Sequence, residues 1–343
     1  MSEIRLTQFT KGGGCGCKIP PESLKEILKD HLTSNEFGLI EGNSHGDDAA
    51  VIDLGNNQCL ISSTDFFTPI VDDPFDFGRI AAANSISDIY AMGGKPVLAL
   101  SILAWPTDKL GTELAAEVIR GARFVCEEAG IAIGGGHSIE NPEPVFGLSV
   151  NGIIDFHCLK RNHTAESGDV LVLTKPIGTG ILSTALKREL LIDPHKHSLI
   201  ESMCRLNAIG EKVAAFSQVH AMTDVTGFGL LGHLIEMAEG ADLAVRLDYA
   251  KVPLLEGTKA FAAQMIYPDN TFRNWKNMSP KVKGIGSESL LTLCDPQTNG
   301  GLLLAVDPNG FEEIKSLFQS LNHDFWCIGA FEEKGDSVVV IKD

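Results

Sequence analysis

The chain has 343 residues, 44% of them hydrophobic, which is enough to bury large cores and to form two domains. Its formal net charge of -17 repels phosphate backbones and anionic membrane surfaces, so neither nucleic acid nor a membrane is expected as a partner. An anionic substrate would need a local cationic patch or a bound divalent metal. The polar N-terminus, the lack of a run of about 20 apolar residues and the eight scattered cysteines predict a cytoplasmic enzyme with reduced thiols.

The first half of the chain alternates helix and strand patterns, as is typical of an α/β domain. The predicted elements are a helix over 21–32, a strand over 59–64 that runs into Asp65, a helix over 77–92, a strand over 97–103, a helix over 112–129 and a strand over 145–154. Because "VLALSIL" at 97–103 is almost continuously apolar, we expect both faces of that strand to be buried.

The second half begins a new set of strands and helices. We predict a strand and glycine turn over 169–180, helices over 181–190 and 198–216, a strand over 219–224, a helix over 229–240, and strands over 241–249 and 300–307, followed by one more helix and a closing strand or two. The stretch 253–287 carries Pro, Gly and Asn and is expected to be irregular.

Acidic residues recur at the ends of apolar strands and inside apolar helices. The set comprises Asp47, Asp48, Asp65, Asp88 and Asp224. A buried carboxylate needs a partner, a cation or a raised pKa. Any one of these acids is more often a helix cap or a hydrogen-bonded structural acid, but the recurrence favours carboxylates that hold Mg²⁺ beside phosphates.

Glycine-rich stretches could supply backbone N–H groups to an anion. "GGGHS" at 134–138 is expected as a loop of this kind, in which His137 either contacts a phosphate or caps a turn. The chain has no P-loop motif. Residues 227–232 match G-x-G-x-x-G, but Asp224 just before them would repel a pyrophosphate, so helix packing beside a metal-binding acid is favoured.

The stretch "TKGGGCGCKIPPES" at 10–23 places Cys15, Cys17 and Lys18 on an almost bare backbone. Zinc would need further ligands that no nearby Cys or His pair supplies. Lys18 could stabilise a reactive thiolate or bind a phosphate. A mobile glycine-rich segment with an incidental lysine is the alternative, and composition alone leaves these possibilities open. Cys17 either protects Cys15 through a reversible disulfide or has no role.

Taken together, these stretches resemble the selenophosphate synthetase (selenide, water dikinase) family. The resemblance spans nearly the whole chain and is carried by "GGGCGCK" (12–18), "GDDAAV" (46–51), "STDFFTPIVDDPFDFGRIAAANSISDIYAMGGKP" (63–96), "GGGHSI" (134–139), "TDVTGFGLLGHL" (223–234) and "DPQTNGGLLLAV" (295–306). The acid and glycine stretches are shared more loosely with a wider ATP-using group that includes aminoimidazole ribonucleotide synthetase. One departure is Asn299, where the family pattern would have Ser.

The resemblance implies an α/β (α+β), two-domain aminoimidazole ribonucleotide synthetase-like fold. Residues 1–20 would form a flexible glycine-rich catalytic segment. Residues 21–157 would form an N-terminal domain that binds ATP and Mg²⁺ and builds a dimeric barrel-like sheet, and residues 158–343 a C-terminal α/β domain packed beside it. The implied reaction converts ATP, selenide and water into selenophosphate, AMP and phosphate. The implied partners are a second copy of the chain and a possible selenium-delivery protein.

The resemblance also implies roles for individual residues. Cys15 and Lys18 match the catalytic residues, and Asp48, Asp88 and Asp224 match the ligands of several Mg²⁺ ions, with a monovalent cation as a further possibility. The ATP-contacting positions would be Lys18, His45, Gly46, Asp47, Asp65, Asp88, Gly136, His137 and Ser138. Two alternatives stay open: another ATP-using enzyme of the same superfamily, and a non-catalytic thiol protein that carries selenium or metal.

Overall fold

The structure is a computed structural model that describes residues 4–10, 12–17, 26–27, 38–42 and 46–342. Lys18, His45 and most of the helix expected over 21–32 lie outside these residues, and so do the side chains of Cys15 and Cys17. The described residues form two sheets, one in each half of the chain, with helices packed on them.

The first sheet has six strands in the order β1-β2-β3-β6-β4-β5. Its strands are β1 (Leu39–Glu41), β2 (Ala50–Gly55), β3 (Gln58–Phe67), β4 (Lys95–Trp105), β5 (Ile133–Glu140) and β6 (Val145–Asp155). Only the β4–β5 pair is parallel. Helices α1 (Pro74–Ala91) and α2 (Thr112–Glu128) cover one face, onto which alternate strand residues such as Val51, Ile61 and Val150 are buried.

Helix α1 is the central element of the molecule. The Asp73 side chain accepts a hydrogen bond from Asp76 N (2.9 Å) and Pro74 occupies the first turn, which together fix where the helix begins. The helix contacts β3 and β6 on one side and β8 (Val219–Asp224) of the second half on another. Its polar residues are therefore buried with its apolar ones, and each needs a hydrogen-bond partner.

The other face of the first sheet exposes apolar side chains. Those that are 38–56% exposed are Ile52, Leu54, Phe66, Leu98, Leu100, Ile139 and Ile153. The prediction that both faces of the strand at 97–103 are buried is therefore wrong for the single chain, since Leu98 and Leu100 of β4 face outward. An apolar sheet face of this kind is unusual on a surface that contacts only water.

The second sheet has seven strands in the order β10-β13-β9-β12-β7-β11-β8. These are β7 (Val170–Leu173), β8, β9 (Ala244–Asp248), β10 (Val282–Lys283), β11 (Leu302–Val306), β12 (Trp326–Glu332) and β13 (Val339–Lys342). The helices of this half are α3 (Thr179–Lys187), α4 (Asp193–Cys204), α5 (Ile209–Val213), α6 (Gly229–Gly240), α7 (Thr258–Ala263), α8 (Asn270–Met278), α9 (Ser287–Leu293) and α10 (Phe311–Ser320). The only parallel pairs join β13 to β9 and β10.

Two local predictions are wrong. Residues 253–287 are not irregular, because they contain α7 and α8, which pack on other helices of the second half. "GGGHS" is not a loop, since it forms most of β5 and pairs with β4. Among the described residues, no helix combines the length and the apolar character needed to cross a bilayer.

Candidate active site

Three carboxylates from distant parts of the chain meet beside α1. Asp48 lies just before β2, Asp88 lies on α1, and Asp224 ends β8. One carboxylate oxygen of each lies within 4.8 Å of the others. The three residues expected from the resemblance to hold metal are therefore brought together.

Hydroxyl groups position each of these carboxylates. Thr223 Oγ1 donates to Asp48 Oδ1 (2.9 Å), and Ser87 Oγ donates to Asp224 Oδ2 (2.5 Å). Ser63 Oγ donates to Asp88 Oδ2. Sequence reasoning missed these hydroxyl residues, although two of them stand directly beside an acid in the chain: Ser87 beside Asp88 and Thr223 beside Asp224.

The cluster is electrostatically suited to a divalent cation. Burial, together with the neighbouring charges of Asp224 and Asp88, raises the pKa of Asp48 well above its usual range. The Oδ2 atom of Asp48 is buried and makes no hydrogen bond. A divalent ion bound between the three carboxylates would supply that missing partner and offset the repulsion, and oxygen ligands are those that Mg²⁺ prefers.

A hydrogen-bond chain continues from the cluster into the second half. Asn84, one turn before Asp88 on α1, donates from Nδ2 to Asp65 Oδ2 (2.7 Å). Its Oδ1 accepts from Asn299 N (2.8 Å). Asn299 Nδ2 in turn donates to the carbonyls of Met203 (2.6 Å) and Arg205 (3.0 Å).

The structure explains why Asn299 stands where the resemblance would have Ser. Its φ of 47° lies in the left-handed region, which Asn tolerates better than Ser. Its carbonyl accepts from the Nζ atom of Lys175 (2.9 Å), a fully buried lysine whose pKa burial lowers well below its usual range. Sequence reasoning also missed Lys175, which nothing in its local pattern marks as buried.

Asp47 points away from the carboxylate cluster. Its Oδ1 accepts from Asn162 N (2.9 Å), and its Oδ2 lies 3.3 Å from His163 Nδ1. Burial alone would raise the pKa of Asp47, but the hydrogen bonds from His163 and Asn162 outweigh it and lower the pKa. Nearby Gly46 O accepts from Asn162 Nδ2 (2.9 Å). Asn162 lies in the segment that joins the two halves of the chain, so that segment holds the turn at Gly46.

The other candidate nucleotide residues lie at the far edge of the first sheet. Gly136, His137 and Ser138 are exposed on the edge strand β5. Gly136 shares a row across the sheet with Ser101 and, two strands further on, with Asp65. Three strand spacings separate Gly136 from Asp65, which is about 14 Å. Gly136 cannot be replaced there, because its φ is 154° and a Cβ would lie 2.0 Å from Ser101 O.

The residues that precede the glycine-rich stretch 12–17, called the glycine segment below, are anchored beside the start of α1. Leu6 is buried, and Thr7 donates to Asp72 Oδ1 from both N (3.1 Å) and Oγ1 (2.5 Å). Arg5 Nε donates to Asp72 Oδ2 (2.8 Å). Because Asp72 precedes the cap residue Asp73, the N-terminal arm is fixed to the helix that carries Asp88.

The glycine segment then crosses to the second half. Its backbone forms a short 3-10 turn at Gly14–Cys17, in which Gly14 N donates to Thr68 O (3.1 Å). A Cβ on Gly14, whose φ is 58°, would lie 2.4 Å from Thr298 Oγ1. Asn270 Nδ2 donates to Gly16 O. The segment therefore packs between β3 and the residues next to Asn299.

The chain matches known families along most of its length. Residues 46–154 match the family described as AIR synthase related protein, N-terminal domain, and residues 166–342 the one described as AIR synthase related protein, C-terminal domain. A selenide, water dikinase from Aeromonas hydrophila is 52% identical over 318 residues, which is 92% of each chain. Another, from Photobacterium profundum, is 50% identical and covers 99% of this chain and 100% of that one. The chain belongs to the selenide, water dikinase family.

This membership confirms the family resemblance and the two-domain aminoimidazole ribonucleotide synthetase-like fold. Among solved structures, the hydrogenase maturation protein HypE in complex with ATP superposes with a TM-score of 0.65 at 18% identity, over 98% of this chain and 94% of that one. At that identity the similarity shows the fold. In this dikinase family member, Asn299 donates to Asn84 on α1, and its neighbour Thr298 lies against Gly14.

Proposed function

We propose that the protein makes selenophosphate from ATP, selenide and water, with AMP and phosphate as the other products. The observation that carries the proposal is the junction of Asp48, Asp88 and Asp224 in a chain about half identical to selenide, water dikinases over its full length. The alternative of another ATP-using superfamily enzyme is disfavoured by that identity. A non-catalytic carrier would leave the carboxylate cluster without a function.

Asp48, Asp88 and Asp224 would hold Mg²⁺ ions together with the ATP phosphates. When bound, Mg²⁺ supplies positive charge to the transferring phosphoryl group. The surrounding hydroxyls of Ser63, Ser87 and Thr223 orient the carboxylates so that one oxygen of each faces the same volume. Without bound cations the three carboxylates make the site strongly anionic. This agrees with a substrate that arrives together with its metal ions.

The N-terminal segment supplies the groups that the carboxylates lack. Lys18 contacts the γ-phosphate as a point charge, and Cys15 holds selenium beside it. Selenide is already an anionic nucleophile, so the protein has to position it rather than deprotonate it. Its selenium attacks the γ-phosphorus, the bond from that phosphorus to the bridging oxygen breaks, and ADP leaves. Water then attacks the β-phosphorus of ADP, and the bond from that phosphorus to the oxygen shared with the α-phosphorus breaks, which releases AMP and phosphate.

ATP lies between the carboxylate cluster and the edge strand β5. The turn at Gly46 and Asp47, with His45, approaches the phosphates from one side, while Asp65 and the backbone of 136–138 lie along the row that crosses the sheet. The described 3-10 turn at Gly14–Cys17 is the fixed end from which Lys18 reaches the same volume.

The working unit is a homodimer. The outer face of the first sheet carries the exposed apolar side chains of β2–β6, and a second copy of that face would bury them and extend the sheet into a barrel-like arrangement. Sedimentation analysis tests this proposal directly, since a Leu54→Lys variant should sediment as a monomer while the unmodified chain sediments as a dimer. We also place the protein in a reducing, cytoplasmic setting, which suits its free buried thiols such as Cys59 and Cys126.

Phosphorus NMR on the purified protein with ATP, Mg²⁺ and selenide tests the function. We expect selenophosphate, AMP and phosphate to form together and only when selenide is present. Cys15→Ser and Lys18→Ala should abolish that selenide-dependent AMP formation. Steady AMP release without selenide, or full activity in both variants, would overturn the proposal.

A further inference from the structure

An open cleft of about 630 Å³ is lined in part by Thr298, the residue before Asn299. The backbone of residues 12–16 forms one wall and the face of α3 that carries Ser183, Thr184 and Lys187 forms another. The start of α8 at Asn270 closes the third side, and Pro296 and Thr298 form the floor. The candidate catalytic segment therefore lines this cleft together with Thr7, Pro69 and Ile70 of the first half.

The cleft is a cationic site on a strongly acidic protein. Lys187, Arg188 and Arg273 line it, and Asp269 is the only acid among the described residues that do so. The formal charge of the chain is -17, so a net positive cleft is a local exception. Charge lining a concave site concentrates ions of the opposite sign and raises their association rate.

The cleft communicates with the carboxylate cluster through adjoining residues. Thr298 lies against Gly14 in the cleft, and the next residue, Asn299, donates to Asn84 on α1. Asn84 donates to Asp65 on the carboxylate side. Residues 12–16 therefore lie next to Thr298 and Asn299, a residue pair that contacts α1.

We infer that this cleft binds the anionic selenium substrate before phosphoryl transfer. The inference rests on the proposed function and adds the place from which selenide reaches Cys15. ATP is held by carboxylates through metal ions, and it would bring those ions with it. Selenide is a small anion without such ions, so it needs cationic side chains, which the cleft supplies through Lys187, Arg188 and Arg273.

Ser183 is a suitable position for a charge test. Its side chain is half-buried in the cleft wall, and its hydroxyl donates only to Gly180 O one turn earlier (3.0 Å). Ser183→Glu places a negative charge in the cleft, and Ser183→Gln adds similar bulk without the charge. We expect Ser183→Glu to raise the KM for selenide about fivefold over Ser183→Gln, as one unit charge in a water-filled cleft would. The KM for ATP should be equal in both variants.

Arg188→Gln provides a second test, in which the cleft loses one cationic side chain. Arg188 is exposed, so its replacement leaves the packing intact, and the KM for selenide should rise by a similar factor. Arg123→Gln, on the exposed face of α2, makes the same change in net charge far from the cleft and should leave that KM unchanged. Added salt should weaken selenide saturation in the unmodified protein more than in Arg188→Gln.

The outcomes separate the inference from the function on which it rests. Equal KM values for selenide in Ser183→Glu, Ser183→Gln and the unmodified protein, with selenophosphate still formed, would overturn the cleft assignment alone. A rise in the KM for ATP that matches the rise for selenide would also overturn it. Failure of the unmodified protein to form selenophosphate would overturn the proposed function instead.

Discussion

Removing one charge from the carboxylate cluster should stabilise the metal-free protein and abolish its response to Mg²⁺. Asp48→Asn is the most informative change. Its amide oxygen can still accept from Thr223 Oγ1, and its amide nitrogen can donate toward Asp88 or Asp224. The cost of the change to hydrogen bonding is therefore small, and the difference from the unmodified protein reports the charge.

The magnitude follows from the geometry of the cluster. Two unit charges 4.8 Å apart repel by about 3 kcal/mol at an effective dielectric constant of 20. Asp48 has two such neighbours, but partial protonation, which its raised pKa implies, removes much of that repulsion. We expect Asp48→Asn to increase the free energy of unfolding without metal by about 1–3 kcal/mol, which raises Tm by a few degrees.

Thermal unfolding with chelator and with excess Mg²⁺ measures both effects. The unmodified protein should gain about 2.7 kcal/mol when Mg²⁺ is present at 100 times its Kd. Asp48→Asn should start higher in chelator and gain much less from Mg²⁺. Asp108→Asn, an exposed acid outside the cluster, serves as the control and should behave as the unmodified protein.

Either of two results would refute the assignment of Asp48 to a metal-binding cluster in which the carboxylates repel one another. One is an unmodified protein whose Tm is the same in chelator and in excess Mg²⁺. The other is an Asp48→Asn variant that is less stable than the unmodified protein in chelator, because that would mean the ionised carboxylate is needed by the fold itself.

Three further predictions concern the supports of the site. Asp72→Ala removes the acceptor for Arg5 and Thr7, so limited proteolysis of the N-terminal arm should accelerate and selenide-dependent AMP formation should fall roughly tenfold. Asn299→Ser removes two hydrogen bonds, so urea denaturation should show a free energy of unfolding about 1–3 kcal/mol lower. Burial raises the pKa of Asp295 to about 8, so its stabilising contribution is complete below pH of about 3.8 and is lost as pH rises toward 8. The stability of Asp295→Asn relative to the unmodified protein should therefore increase by up to about 1.4 kcal/mol per pH unit in that window.

Each of these predictions has a matched control and a contrary result. Asp72→Asn keeps an acceptor for Thr7 and should be milder than Asp72→Ala; unchanged rates in both would contradict the anchoring role. Asn322→Ser makes the same substitution at another left-handed residue, with a φ of 50°. The amount by which Asn299→Ser lowers the free energy of unfolding more than Asn322→Ser does therefore reports the hydrogen bonds of Asn299. A stability difference for Asp295→Asn that does not vary with pH would contradict a neutral buried carboxyl at that position.

Much of the fold was predictable because its signals are local. The helix that became α1 has a cap, a proline in its first turn and a glycine stop, and the strand that ends at Asp224 carries the apolar residues Val219, Ala221 and Met222. The short helices α7 and α8 were missed, since turn residues surround them and their apolar contacts come from distant elements. The burial of Lys175 was missed for the same reason, because its partners are backbone carbonyls far along the chain.

The sequence by itself determined which residue types the site contains, because acids at strand ends, glycine runs and a Cys/Lys segment are visible without any coordinates. Only the tertiary structure decided which of them meet. Asp47 and Asp48 are neighbours in the chain, yet one faces His163 and the other faces Asp88 and Asp224, because Asn162 N donates to the first carboxylate and Thr223 Oγ1 donates to the second. The cationic cleft is likewise absent from any single stretch: α3, α8 and residues 12–16 form it only when the two halves pack on α1.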